Sequence, residues 1–200
     1  SGRVFVGGRD TEKMRPFQVT NECGAARTFQ NIRLFKDLSV LDNVLVSSHR
    51  KVDYGLFSIL FETRKKREAE QKIKEDALAL LKIFSLDKKA NEIAKNLPYG
   101  EQRKLEIVRA LSTKPKLLFL DEPAAGMNDE ETAQLMKLVR FIRDEFQIGI
   151  LVIEHDMKFI MGLCERIYVL DHGQLIAHGN PDEIKANPEV IKAYLGEEAA

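Results

Sequence analysis

The chain has 200 residues, of which 44% are apolar, so it is long enough to build one domain around a sizeable core. Its 31 basic and 31 acidic residues cancel, and the chain lacks the positive field expected of a dedicated nucleic-acid-binding protein. The longest apolar runs, such as 117–120 and 150–153, are far shorter than the roughly 20 residues that cross a bilayer, and no leader pattern follows Ser1. We therefore expect a globular protein that is soluble by itself and does not bind nucleic acid.

The two cysteines, Cys23 and Cys164, lie far apart in the sequence. Two isolated thiols argue against a disulfide framework and against a four-ligand zinc site. We expect both to be reduced thiols of a cytosolic protein.

The second half of the chain alternates strands and helices. An apolar run at 117–120 predicts a buried strand, and a second such run follows at 150–153. The segment between them is helical in its apolar spacing, and this βαβ pattern predicts a largely parallel sheet with helices on its faces. A short helix at 157–164 then leads to strands at 167–170 and 174–177, which should pair as an antiparallel hairpin.

The middle of the chain is charged and helical from about 61 to 84, with one apolar stripe at helical spacing. The basic run 64–67 could contact nucleic acid or lipid headgroups, but acidic residues interleave with it in the manner of a solvated helix face. We interpret 1–200 as a single α/β domain with an inserted helical subdomain at about 50–112 and an α/β core in the remainder. The stripe consists of Ile73, Ala77, Leu80, Leu81 and Phe84.

Two adjacent acids, Asp121 and Glu122, end the strand at 117–120 and are followed by Pro123. Burying carboxylates at a strand end is costly unless a cation or a reacting water meets them, and open α/β sheets bind ligands outside the carboxyl ends of their strands. These acids therefore suggest nucleotide chemistry with Mg²⁺. An acidic turn before a proline would explain the two acids alone equally well, but it would not explain the residues around them.

Other polar residues are placed to reach the same edge of the sheet. Gln30 lies on a predicted extended loop, and the segment 97–102 opens a helix whose free N–H groups and dipole form an anion site. Asn128 and Glu131 have the spacing of a capping box for the next helix. His155 follows the second strand, which puts an imidazole at the same edge.

Together these residues resemble the ABC ATPase family, whose motifs they match in order and spacing over nearly the whole chain. The resemblance implies a P-loop NTPase-like fold with a mostly parallel sheet. The strings 26–35, 122–128 and 187–196 are similar in more detail to the branched-chain amino acid uptake (LivG-type) subfamily.

The resemblance also implies a role for each motif residue. The implied catalytic residues are Glu122 as the catalytic carboxylate, His155 as the switch histidine and Gln30 as the Q-loop glutamine. The implied nucleotide-binding residues are Asp121 at the end of the Walker B strand, Gly100, Tyr99 and Gln102 in the signature motif, and Asn128 in the D-loop. The implied Mg²⁺ ligands are Asp121 and Gln30.

The chain departs from the family in three places. No Gly-x-x-x-x-Gly-Lys-[Ser/Thr] loop occurs in it, and the glycines 7–8 predict a hairpin turn instead. The resemblance implies that a strand–loop–helix unit of roughly 30 residues or more, which would cradle the phosphates, is missing before Ser1. Tyr99 stands where the commonest signature has glycine, and Asn128 replaces the usual D-loop aspartate.

The resemblance implies a motor subunit that binds ATP and Mg²⁺ and couples ATP hydrolysis to the import of branched-chain amino acids. Its implied partners are a second ATP-binding subunit, in a homodimer or heterodimer, and transmembrane permease subunits. We expect a cytoplasmic protein that is peripheral on the inner face of the cell membrane. The alternative is a non-catalytic cassette that acts only as an interaction or dimerisation module, since a chain without its own phosphate loop is expected to be inactive alone.

Overall fold

A computed structural model describes residues 2–48 and 64–195 of the chain. The strands are β1 Phe5–Val6, β2 Arg9–Asp10, β3 Ala25–Arg27, β4 Leu117–Asp121, β5 Gly149–Ile153, β6 Ile167–Asp171 and β7 Gln174–Gly179. The α-helices are α1 Pro16–Glu22, α2 Val40–Ser48, α3 Arg64–Ile83, α4 Tyr99–Ser112, α5 Asp129–Phe146, α6 Met157–Leu163, α7 Pro181–Lys185 and α8 Pro188–Val190. Short 3₁₀ turns lie at Asp87–Lys89 and Ala94–Asn96, and a π turn lies at Ile191–Leu195.

The central sheet has the strand order β3-β4-β5, and both of its pairings are parallel. The side chains of β4 alternate between the two faces, so Leu118 and Leu120 are fully buried in the main core while Leu117 and Phe119 point to the opposite face. Helix α5 connects β4 to β5, as the βαβ pattern requires. The predicted parallel α/β sheet is confirmed.

Two antiparallel hairpins form sheets separate from this one. Strands β1 and β2 pair antiparallel around the glycines 7–8, which confirms the predicted turn there. Strands β6 and β7 pair antiparallel as a separate two-stranded sheet, which confirms the predicted C-terminal hairpin.

The helices α2, α3 and α4 pack against one another beneath the sheet. The apolar stripe of α3 faces inward, with Ala77 and Leu81 buried and Phe84 buried just after the helix ends. On the solvent side Arg64 pairs with Glu68 one turn away. The predicted stripe is therefore confirmed. Residues 50–63 of the predicted helical subdomain lie outside the described residues, and its boundaries stay a prediction.

Helix α5 begins with the predicted capping box. The side chain of Asn128 accepts a hydrogen bond from the N–H of Glu131 at 2.9 Å, and the Glu131 carboxylate accepts one from the N–H of Asn128 at 3.0 Å.

Both described cysteines are free thiols, and burial raises the pKa of Cys164. Among the described residues no helix is both long enough and apolar enough to cross a bilayer.

A buried asparagine ties the loop before α2 to the helix itself. Asn43 is fully buried, and its side-chain oxygen accepts a hydrogen bond from the N–H of Phe35 at 2.9 Å. Its amide nitrogen donates to the carbonyl oxygens of Phe35 at 3.0 Å and Ser39 at 2.9 Å. The segment 35–39 follows the Gln30 loop, so this one side chain fixes the far end of that loop.

We expect Asn43→Ala to lower the free energy of unfolding by about 2–4 kcal/mol, because the buried Asn43 side chain would be lost together with its hydrogen bonds to backbone groups of Phe35 and Ser39. Urea denaturation followed by circular dichroism measures the loss. The exposed Asn96 offers a matched control, for which Asn96→Ala should change stability by less than about 0.5 kcal/mol. Equal losses from both changes would show that Asn43 does not hold the segment.

Candidate functional site

The parallel register brings the carboxyl ends of β4 and β5 to one edge of the sheet. Asp121 is the partner of Ile153, and the N–H of Glu122 donates to the carbonyl oxygen of Ile153 at 2.9 Å. Asp121 lies on the face of β4 that points away from the main core, together with Phe119. The chain then turns sharply, because Glu122 has a φ of 44°, in the left-handed region that residues with a Cβ rarely adopt. Such conformations often occur at functional sites.

Gln30 and His155 both reach Glu122. The side-chain amide of Gln30 donates to Oε2 of Glu122 at 2.8 Å, across 92 residues of sequence. Nδ1 of His155 lies 3.9 Å from Oε1 of the same carboxylate, and the imidazole is 75% exposed while the carboxylate is only 26% exposed. The structure therefore brings the three implied catalytic residues together at one end of the sheet.

Asp121 is engaged by a residue that the sequence analysis did not select. Arg27, the last residue of β3, donates from its guanidinium to Oδ2 of Asp121 at 2.6 Å. The Arg27 side chain is about half exposed, whereas the Asp121 side chain is only 18% exposed. Arg27 thus supplies a positive charge to the carboxylate that the resemblance assigns to Mg²⁺.

Glu154 is a second residue that the sequence analysis did not select. Its side chain is only 2% exposed, and its carboxylate accepts hydrogen bonds from the N–H groups of Ala124 at 2.9 Å and His155 at 3.1 Å. It therefore joins the turn after β4 to the turn after β5. Its position next to a candidate histidine at a strand end was the available signal.

The predicted signature residues lie at the start of α4, a short distance from this carboxylate site. Tyr99 and Gly100 are the first residues of the helix, and Gln102 donates from its side chain to the carbonyl oxygen of Leu97 at 2.8 Å. A Cβ placed on Gly100 would lie 3.0 Å from the carboxylate of Glu131. The signature turn thus lies beside the start of α5, which Asn128 caps.

The oxygen donors at the sheet edge suit a hard cation. Carboxylate and amide oxygens from Asp121 and Gln30 are ligand types that Mg²⁺ accepts. No group of three or more acidic, histidine or cysteine side chains within 2–48 and 64–195 is placed to hold a metal by itself. Mg²⁺ usually takes one or two protein ligands and completes its shell with water and substrate phosphates.

The chain is similar in sequence to known proteins over nearly its whole length. A family model described as "ABC transporter" matches residues 1–125, and another described as "Branched-chain amino acid ATP-binding cassette transporter" matches residues 174–200. The chain is 46% identical over 196 residues to the high-affinity branched-chain amino acid transport ATP-binding protein LivG of Salmonella typhimurium, covering 98% of this chain and 76% of that protein. It is 41% identical to BraF of Pseudomonas aeruginosa, with the same coverage.

A solved structure is similar in fold over nearly the whole chain. An ATP-binding cassette of an ABC transporter, crystallised in its ADP conformation, superposes with a TM-score of 0.80 at 27% identity. The similarity covers 98% of this chain and 78% of that one. The α/β fold predicted from the resemblance is therefore confirmed.

Gly126 lies against Tyr99 of the signature motif. Substituting Gly126 tests whether this contact constrains the turn. The residue has a φ of 76°, and a Cβ placed on it would lie 3.0 Å from Cε1 of Tyr99. Gly173 has a φ of 79° but has no atom within 4 Å of such a Cβ, so it is a control with the same backbone strain and no contact.

We expect Gly173→Ala to lower the free energy of unfolding by about 1–2 kcal/mol from backbone strain alone. Gly126→Ala should lower it by about 1–3 kcal/mol more, because Tyr99 or the turn must move. Thermal or urea unfolding of the two variants measures the difference. If the losses are equal, the contact between Tyr99 and Gly126 does not constrain the turn.

Proposed function

The chain belongs to the ABC transporter family, among the LivG-type ATP-binding subunits, and we propose that it is the ATP-hydrolysing motor of an importer of branched-chain amino acids. The observation that carries this proposal is the Glu122 carboxylate, held at the end of β4 by Gln30 and lying next to Asp121 and His155. A carboxylate held in this way can accept a proton from an attacking water. Phosphoryl transfer to water needs little beyond such positioning and charge neutralisation.

In this mechanism each residue has a separate task. Glu122 polarises the attacking water and accepts its proton, while the amide of Gln30 fixes one carboxylate oxygen at 2.8 Å and leaves the other oxygen facing His155. The exposed imidazole of His155 is free to donate a hydrogen bond to a terminal phosphate. Glu154 holds the backbone of His155 and thereby keeps the imidazole at this edge of the sheet.

Asp121 would hold Mg²⁺ together with phosphate oxygens, and the ion would supply neutralisation of the charge that develops on the transferred phosphoryl group. Arg27 already partly neutralises Asp121. We infer that the Arg27 guanidinium keeps this low-exposure carboxylate compensated whenever a metal does not.

One face of the sheet supports a further part of the proposal. Leu151 and Ile153 of β5 are 45% and 50% exposed on the face to which Asp121 also belongs. Parallel strands are ordinarily covered on both faces. We propose that the phosphate-binding strand–loop–helix unit implied by the family packs here, because that would bring its backbone N–H groups beside Asp121 and Glu122.

The signature turn supplies the proposed partner surface. Tyr99 is 46% exposed at the N-terminus of α4, where free N–H groups and the helix dipole favour an anion. We propose that this turn contacts the nucleotide seated on a second ATP-binding subunit, in a homodimer or heterodimer, and that the pair acts with transmembrane permease subunits on the inner face of the membrane. Protein partners suffice for this role, and nucleic acid has no part in it.

A second candidate function is that of an interaction module. These 200 residues contain no phosphate-loop motif, so a polypeptide of this sequence alone could offer its signature turn to a partner without loading ATP itself. We expect isothermal calorimetry of the 200-residue polypeptide with Mg-ATP to show an affinity much weaker than micromolar. Micromolar affinity would overturn the interaction module as the role of this segment by itself.

Substituting Glu122 tests the motor function. With the phosphate-loop segment, partner and permease subunits present, Glu122→Gln should leave ATP binding nearly unchanged, because glutamine has a similar size and the phosphate ligands lie elsewhere. Hydrolysis should fall by 10²–10⁴-fold, roughly the contribution of a positioned general base. A phosphate-release assay beside size-exclusion chromatography with ATP should show an inactive protein that accumulates as an ATP-bound dimer.

Asp121→Asn is the matched comparison, since it is an equally isosteric change at the adjacent residue. It removes charge from the metal site and releases Arg27, so it should raise the Mg²⁺ concentration needed for half-maximal turnover as well as slowing turnover. A Glu122→Gln protein that stays monomeric with ATP and hydrolyses it at the normal rate would remove Glu122 from the mechanism. Equal, mild destabilisation from both variants would indicate that the acids only shape a turn.

A further inference from the structure

Side chains of helix α4 form hydrogen bonds with the backbone of the loop that carries Gln30. The guanidinium of Arg103 donates hydrogen bonds to the carbonyl oxygens of Phe29, at 2.6 Å, and Gln30. The carboxylate of Glu106 accepts hydrogen bonds from the N–H groups of Phe29 at 3.4 Å and Arg33 at 3.2 Å. The helix therefore contacts the loop on both sides of Gln30.

A third side chain extends this contact. Arg109 donates to the carbonyl oxygen of Arg33, and its guanidinium lies 4.9 Å from the centre of the Phe35 ring. Arg103, Glu106 and Arg109 recur every three residues along α4, so they project from one side of the helix. We call these three residues the loop clamp.

Two residues of the clamp, Arg103 and Glu106, are buried, which makes their charges costly to keep. The side chains of Arg103 and Glu106 are only 3% and 6% exposed and lie 3.4 Å apart. Burial lowers the pKa of Arg109, and the negative charge of Glu106 opposes that effect. A buried ion pair is often no more stabilising than a well-packed apolar pair of similar volume. An apolar pair could not supply the hydrogen bonds that Arg103 and Glu106 form with the loop.

Arg103 and Glu106 contact only backbone atoms of Phe29, Gln30 and Arg33, which leaves the side chain of Gln30 available to Glu122. The side-chain amide of Gln30 donates a hydrogen bond to that carboxylate at 2.8 Å, so the position of the loop determines whether this hydrogen bond can form. Arg103 also lies 3.1 Å from the hydroxyl of Tyr99, one turn earlier in α4. The same guanidinium thus touches the Gln30 loop and the signature turn.

We propose that Arg103, Glu106 and Arg109 are positioning residues that fix Gln30 against Glu122 and tie its loop to the start of α4. The clamp acts through Gln30 and does not touch the reacting atoms. This inference rests on the proposed function for the role of Glu122, but the structural part of it can be tested separately.

Hydrogen exchange of the native protein tests the clamp without any assay of activity. The N–H groups of Phe29 and Arg33 should exchange at least about tenfold faster in the double variant Arg103→Met/Glu106→Leu, because their acceptor is lost. This variant replaces both partners of the Arg103–Glu106 ion pair with apolar side chains, so neither partner is left as an unpaired buried charge. Amides in the core strand β4 should keep their protection.

A double-mutant cycle with Gln30, measured with the phosphate-loop segment, partner and permease subunits present, tests the consequence for turnover. Arg103→Lys keeps the charge but loses the planar fork that reaches two carbonyl oxygens, so we expect kcat to fall by about 10- to 100-fold. In a Gln30→Ala background the same change should have almost no further effect, because the residue it positions is gone. Arg143→Lys is the matched control, since Arg143 pairs with the exposed Asp144 and Glu165 and this substitution should leave kcat unchanged.

Unchanged exchange at Phe29 and Arg33 would overturn the clamp, and so would additive effects of Arg103→Lys and Gln30→Ala on kcat. Global unfolding of both clamp variants would also overturn it, because Arg103 and Glu106 would then serve general stability. Failure of the proposed function gives a different result. In that case the wild-type protein shows no ATP turnover, while the exchange of the two amides still responds to the double variant.

Discussion

The parallel pairing of β4 with β5 is the constraint on which the rest of the site depends. Five residue pairs, from Leu117 with Gly149 to Asp121 with Ile153, bring both strands to an end at the same edge. Residues that follow the strands then become neighbours although some 30 residues separate them. A shift of one residue would move Asp121 to the face occupied by Leu118 and Leu120, where a carboxylate would meet the apolar core. The apolar alternation of β4 therefore also fixes which way the first acid points.

Charge compensation is the second requirement of this edge. Four acids lie at or near it, and each low-exposure carboxylate has donors of its own. Asp121 has the Arg27 guanidinium, Glu122 has the Gln30 amide, Glu154 has two backbone N–H groups, and Glu106 has two others together with Arg103. A buried carboxylate without such donors would take up a proton instead. These contacts join four parts of the chain, namely the end of β3 with the loop after it, helix α4, the turn after β4 and the turn after β5.

The sequence predicts the parts of this arrangement that depend on local pattern. The strands β4 and β5 follow from apolar runs, the cap of α5 follows from Asn128 and Glu131 at capping-box spacing, and the C-terminal hairpin follows from its turn residues. The partners of the acids do not follow, because Arg27 and Asp121 are 94 residues apart and nothing in either segment specifies the other. Likewise, charged residues such as Arg103 and Glu106 in an amphipathic helix are normally assigned to the solvent face. Only the tertiary fold shows that they point inward.

The left-handed backbone of Glu122 connects these constraints. A φ of 44° costs free energy for a residue with a Cβ, and a flexible turn would relax it. Relaxation is opposed on both sides: the N–H of Glu122 is bound to Ile153 of the neighbouring strand, and Ala124 is bound to the buried Glu154. With its backbone held, the carboxylate has few directions available, and the Gln30 amide meets it in one of them. The geometry at Glu122 is thus set by the sheet beneath it and by the helix that holds Gln30, and neither element alone determines it.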